Sequence, residues 1–284
     1  MINFHDFVDI CSAPEWSFLR FAILIGLLVS PTLGIIGTLV VTRRISSLAG
    51  ASAHAALGGF GLALFLQRVC GLVFFTATLG AVFGALTAAL IVGIVSIVAK
   101  EREDSIIGAV WALGMSAGLL FLDHTPGYVD WQGYLFGNIL LLTQQDLYLT
   151  LTLDAAVLLP TLIFYPAIQA MFFDGTFAKL RGLKVNFIYL SLLALTALTI
   201  VLLINLVGIM LVIALLTIPA AAAGCCTSRL SSMMVVAALF NALFITAGLV
   251  ASSIISIPSG PAIVLFAGIV YLICLLIKKM TRKQ

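Results

Sequence analysis

Most of the charge in this chain falls in short breaks between apolar runs, and the runs have the length of a lipid bilayer. A helix needs about 20 predominantly apolar residues to cross a hydrocarbon core roughly 30 Å thick. Windows of that kind fall at 17–41, 46–66, 71–99, 105–122, 146–172, 186–204, 206–223, 231–256 and 261–277. One further apolar piece, Tyr134 to Leu142, is too short to cross and too apolar to lie free in water, so it is expected to be a re-entrant or interfacial helix. Only 9% of the 284 residues are charged and 63% are hydrophobic, whereas soluble domains hold about 25% charged residues. The expected fold class is therefore an all-α polytopic membrane protein, one transmembrane domain over residues 1–284 with about nine spans.

Basic residues set the expected orientation. Of the 14 Lys and Arg, only Arg20 and Arg68 fall near one side of the span map. The others, including Arg43, Arg44, Lys100, Arg102, Lys179, Arg181, Lys184, Arg229 and the cluster from Lys278 onward, fall on the opposite side. Cytoplasmic loops are the ones enriched in Lys and Arg, so the C-terminus is expected inside and the N-terminus outside. Trp16 and Trp131 then land near the outer interface, where amphipathic aromatics settle. His5, Asp6 and Asp9 precede the first apolar run without a basic region, which does not resemble a cleavable signal peptide. Cys11, Cys70, Cys225, Cys226 and Cys274 show no metal-binding spacing and are expected to be ordinary small apolar residues.

Two titratable groups lie deep in this map. His54 sits eight residues into its span, about 12 Å from the cytoplasmic end at a rise of ~1.5 Å per residue. Inside a bilayer no water satisfies the ring nitrogens, so such a histidine is a transport-site candidate, the alternative being a packed imidazole bonded to a backbone carbonyl or hydroxyl. Gly50, Gly58 and Gly61 share its helical face and are small enough to admit a neighbouring helix. Asp154 lies eight residues in from Asp146 on the outer side. It is a second candidate ligand, or else a protonated carboxyl bonded to a local hydroxyl such as Thr150 or Thr152. Asp104, at the start of the fourth span, is either a pathway carboxylate or an N-terminal dipole partner.

Between the fifth and sixth spans, residues 174–183 form a short mixed-charge stretch that Gly182 could end as a helical turn. Proline at 31 and 219 could kink or break its span. The chain holds no Gly-x-x-x-x-Gly-Lys-Ser/Thr phosphate loop and no His-Glu-x-x-His, so neither ATP hydrolysis nor zincin-type proteolysis is expected of it.

Several segments, in order, resemble the integral-membrane permeases of bacterial zinc and manganese ABC importers (the ABC-3 family), and the zinc-uptake permease in particular. They are Arg43-Arg44-Ile-Ser-Ser with His54, Glu103-Asp104-Ser-Ile-Ile-Gly108, Thr125-Pro-Gly-Tyr with Tyr134-Leu-Phe-Gly-Asn138, Asp174 to Leu183, Val207 to Pro219, and Pro258-Ser-Gly-Pro261. The resemblance runs from about residue 30 to 275 and implies a type II-like ABC importer permease in the bacterial cytoplasmic membrane. It implies partners: cytoplasmic ATPase subunits, an extracytoplasmic metal-binding protein, and a second permease copy or a sister permease, with no nucleic acid. It also implies a transported divalent metal, zinc ahead of manganese, with no cofactor held by the chain. On this resemblance His54, Asp104 and Asp154 are the candidate metal residues, and Asp174, Lys179, Arg181 and Gly182 belong to a coupling segment for the ATPase. Many members carry an Asp four residues before the histidine, where this chain has Gly50. The second ligand then comes from elsewhere, the site is a weak transit point, or a second copy of His54 completes it. An ion-coupled secondary transporter with His54 and Asp154 as a proton relay is the alternative, although no inverted repeat is visible.

The orientation is directly testable. In a cysteine-free background, Asp130→Cys is expected to react with a membrane-impermeant maleimide from outside and Lys179→Cys only after the membrane is opened; the reverse pattern overturns the span map.

Overall fold

The computed structural model describes residues 17–98, 103–127, 137, 144–255 and 257–281. Eleven helices occupy them: α1 (Ser17–Thr42), α2 (Ser46–Val69), α3 (Ala77–Val98), α4 (Glu103–Asp123), α5 (Gln144–Ile163), α6 (Tyr165–Phe173), α7 (Gly175–Leu180), α8 (Val185–Val207), α9 (Ile209–Cys226), α10 (Leu230–Ile255) and α11 (Ser259–Thr281). Among the described residues nine helices are long and apolar enough to cross a membrane, all except α6 and α7. The expected re-entrant piece at 134–142, both interfacial tryptophans, Asp130 and Cys11 lie outside the described residues, apart from Gly137.

The bundle is built around α2, whose sequence is dominated by Gly, Ala and Ser and whose residues are mostly buried. In lipid no hydrophobic drive separates helix from solvent, so association rests on close backbone approach. A Cβ placed on Gly58 would sit 2.7 Å from the Gly114 carbonyl oxygen of α4, and one on Gly61 would sit 2.6 Å from that of Gly118. On the other side of α2, Gly59 meets Gly80 and Gly84 of α3 just as closely. The glycine stripe expected to admit a partner helix thus admits α4, and Gly59, outside that stripe, admits α3. A second group joins α1, α9, α10 and α11, and α8 bridges it to α2 and α3. α5 packs on α1 and α8 at the periphery.

Three boundaries differ from expectation, each for a local reason. The fifth window, 146–172, is two helices, because α5 stops at Ile163, Phe164 leaves the helical region, and α6 begins at Tyr165 with Pro166 in its first turn. Pro166 has no N–H for the carbonyl four residues back, so continuing α5 would leave that carbonyl unpaired. The third window starts at Ala77 instead of 71; Val73 and Phe74 are apolar but exposed, and the Thr76 hydroxyl accepts from the Leu79 amide to start α3. α9 begins at Ile209 after Gly208, whose φ of 81° and ψ of 161° form a corner that only glycine takes without strain. Pro31 and Pro219 do not break their helices; each lies within a continuous one.

Several mid-helix hydroxyls are satisfied locally, although those of Thr38 and Ser52 are buried without a partner. Thr196 donates to the Leu192 carbonyl at 2.8 Å and Ser30 to that of Gly26 at 2.7 Å, the bonding available to such groups away from water.

If α2 is held by glycine contacts, bulk at one of them will be felt. Gly58→Val is expected to lower the yield and thermal stability of the folded protein, by about 1–3 kcal/mol for overpacking of this kind, while Gly268→Ala in α11, where a Cβ meets nothing within 4 Å, leaves both unchanged. Equal behaviour of the two variants in a detergent melt overturns the packing account.

Candidate functional site

His54 projects from α2 against Trp111 of α4, with ring centroids 4.9 Å apart and an interplanar angle of 21°. Gly50, one turn earlier, makes room for that indole: a Cβ there would lie 2.5 Å from Trp111 Cζ3. The space beside Gly50 is thus filled by an aromatic edge. His54 Nδ1 is buried without a hydrogen-bond partner. No carbonyl or hydroxyl among the described residues meets this atom. Leaving such an atom unmet costs about 1–3 kcal/mol in a dry site.

The imidazole lines a cavity of about 660 Å³ walled by Trp111 and Met115 of α4, Ile209 to Leu211 and Ile213 of α9, and Gly260, Pro261, Val264 and Leu265 of α11. His54 and the Met115 and Met210 thioethers are the side-chain nitrogen and sulfur donors outside the indole on that wall. Met210 and Leu265 are 62% and 65% exposed. The cavity therefore opens on the flank of a single chain, not at its centre.

The other two candidate residues are elsewhere. Asp104 is exposed in the first turn of α4, seven residues before Trp111 and so about 10 Å away along the axis. Asp154 accepts a hydrogen bond from the Thr32 hydroxyl of α1. The local hydroxyls expected to partner it are engaged instead with backbone: Thr150 donates to the Asp146 carbonyl and Thr152 to that of Leu149. Asp154 thus ties the peripheral α5 to α1, and it is not gathered with His54. Among the described residues no group of three or more His, Cys, Asp or Glu side chains is assembled for a metal ion.

At the cytoplasmic side of the span map, residues 174–182 form a capped helical turn. Asp174 Oδ1 accepts from the amides of Thr176 and Phe177 at 2.9 and 3.0 Å, which opens α7. Gly182, with φ of 83°, ends it in the left-handed region as expected. The Arg181 guanidinium lies 4.9 Å from the Phe177 ring centroid. The side chains that reach out furthest are ones that attention to charge had passed over: Phe173, Phe177 and Leu180 are 94%, 52% and 83% exposed. Their spacing of four and three residues could have revealed one apolar face on this polar stretch. Next to it, Arg43 at the α1–α2 turn stacks over Phe172 of α6 and Tyr189 of α8, 5.9 and 5.4 Å from their centroids.

Fold and motifs together define a polytopic transport protein of the ABC permease type. The chain belongs to the ABC 3 transport family, whose model matches residues 15–278. It is similar to an uncharacterised membrane protein of Synechocystis sp., 39% identical over 268 residues covering 94% of this chain and 93% of the relative. It is also similar to the manganese transport system membrane protein MntC of Listeria monocytogenes, 32% identical over 262 residues covering 92% and 91%. Among solved structures it superposes on PsaBC from Streptococcus pneumoniae in complex with Fab, with a TM-score of 0.80, 28% identity and coverage of 96% of this chain and 95% of that chain.

Proposed function

We propose that this chain is the membrane permease of an ABC importer that carries a divalent transition metal across the bacterial cytoplasmic membrane, with His54 as a waypoint. The observation that carries the reading is an imidazole on the wall of a large apolar cavity, set within the Ser46–Val69 span, with no hydrogen-bond partner for its buried Nδ1. The family and the manganese-transport name of one relative support the cargo class. Neutral imidazole is a good zinc ligand and thioethers are soft, whereas manganese favours carboxylate and carbonyl oxygen. With Met115 and Met210 beside His54 and no carboxylate on the cavity wall, we rank zinc ahead of manganese. One nitrogen does not make a metal site. A second permease chain, either another copy or a sister subunit, faces the open flank and completes the coordination sphere together with water.

The metal is received from an extracytoplasmic binding protein on the outer side, where the cavity is framed by the beginnings of α9 and α11. Energy comes from cytoplasmic ATPase subunits that grip α7. Asp174 and Gly182 fix the shape of that helix, Lys179 and Arg181 give it charge, and Phe173, Phe177 and Leu180 provide the apolar knob. Through Phe172 and Arg43, a push on α7 reaches the turn that leads into the His54 helix. A proton relay between His54 and Asp154 has less support, because their neighbours belong to different helices.

Two measurements test this. His54→Asn retains size and hydrogen bonding but loses most of its capacity as a ligand; zinc uptake by a strain dependent on this system should fall about tenfold or more, since even outer-sphere partners of metal ligands are worth about 10–100-fold. Normal uptake refutes the waypoint, and so does loss of assembled complex in step with loss of uptake. Separately, replacing Phe177 and Leu180 with Ser should abolish stimulation of the ATPase by loaded binding protein while the chain still inserts. Full stimulation in that variant removes α7 from the coupling path.

A further inference from the structure

We propose that the groove between the α5–α6 joint and the first half of α8 holds one acyl chain of an anionic phospholipid of the cytoplasmic leaflet, with its headgroup phosphate on Lys184. The groove has a volume of about 440 Å³. One wall is Pro160, Phe164 and Ile168, and the other is the face of α8 from Phe187 to Leu198. It shares no residue with the His54 cavity. The break between α5 and α6 at Phe164 lies on the first wall, and the rings of Phe164 and Phe187 are exposed there.

The length of the groove selects the occupant. From Phe187 to Leu198 is a rise of about 16 Å along α8, at ~1.5 Å per residue. That is close to half of a hydrocarbon core roughly 30 Å thick. A helix of another protein crossing the bilayer would need a groove of about twice that length, whereas an acyl chain of one leaflet needs no more than this. Ser191 is the one polar side chain among the lining residues described, so the wall offers a chain of methylenes the contacts it needs.

The inner end of the groove carries a cation. Lys184 precedes Phe187, Ile188 and Ser191 by three, four and seven residues, the spacing that puts them on one side of a helix. Its side chain is exposed, and no carboxylate or carbonyl among the described residues holds its ammonium. The nearby sequence supplies none either. Asp174 is the last acidic residue of the chain, and its Oδ1 already accepts from the amides of Thr176 and Phe177. Lys184 also stands at the N-terminus of α8, where the helix dipole disfavours a cation. A lipid phosphate there balances the ammonium and the dipole together. The cytoplasmic leaflet carries anionic lipids, and basic pockets between helices on that side take their headgroups. Assignment to this leaflet rests on the orientation expected from the basic residues; the pairing of groove and cation does not.

The test uses the full chain with its native partners, extracted in mild detergent. Phosphatidylglycerol or phosphatidylcholine of the same acyl chains is added, and retained lipid is counted by native mass spectrometry. The native protein should retain one phosphatidylglycerol with about fivefold or greater preference, the order of gain from one basic residue beside an anionic headgroup. Lys184→Gln should remove that preference, and Lys279→Gln, at the exposed end of α11, should keep it. Equal retention of both lipids by the native protein reduces the groove to an ordinary bilayer contact and overturns the proposal, as does a preference that persists in Lys184→Gln. In native membranes, a photoreactive residue in place of the exposed Phe187 should crosslink to phospholipid. A crosslink to protein assigns the groove to another chain and overturns the lipid. If Lys179→Cys is labelled from outside, the leaflet assignment fails, and the lipid count still decides the groove.

Discussion

The approach of backbones at α2 is the contact on which the rest of the molecule depends. A lipid phase is as apolar as leucine, so two helices gain little by hiding apolar side chains from it, and their cohesion comes from van der Waals contact at short range. α2 satisfies that demand on two faces at once, with Gly58 and Gly61 against α4 and Gly59 against α3. The same smallness shapes the site. Gly50 yields its space to the Trp111 ring, which then stacks flat on His54 and holds the imidazole at the edge of the cavity. One property of the α2 sequence thus serves both cohesion and the exposure of a polar group.

That polar group and Asp154 show two answers to a single energetic problem. A titratable side chain at membrane depth needs a partner, and Asp154 obtains one from Thr32 on a different helix. The product is a clasp that secures α5, which is among the least buried spans. Such interhelical hydrogen bonds are worth about 0.6 kcal/mol on average, enough to position a peripheral helix without making it rigid. His54 has no such clasp at Nδ1, and its cavity offers thioethers and hydrocarbon. One carboxylate is thus satisfied across helices, and one imidazole nitrogen is not.

Much of the fold was legible in the sequence because crossing a bilayer is a constraint averaged over about 20 residues, and a window of that length tolerates individual misfits. The glycine spacing around His54 was legible for a related reason: helical periodicity is local, and Gly114 and Gly118 repeat it on the partner. Failures of reading arose where two windows are equally apolar but differ in geometry. Residues 71–76 are as hydrophobic as a helix but lie before its cap, and Pro166 splits a window whose mean hydropathy gives no sign of it. Long-range partners were out of reach altogether. Thr32 lies 122 residues from Asp154, and local hydroxyls that looked available were already engaged with their own backbone. In α7 the charged residues drew notice, although they cap and shield the turn while Phe173 and Leu180 project from it.

The division of labour between helix ends follows from these contacts. α9 and α11 run in the same direction, since α10 returns between them, so their first turns lie on one side of the membrane and their last turns on the other. Cavity-wall residues occupy the first, among them Ile209 to Leu211 and Gly260 to Pro261, and the Lys278–Gly224 bond occupies the second. A pair of rods held at one end can still open at the other by pivoting about the held end.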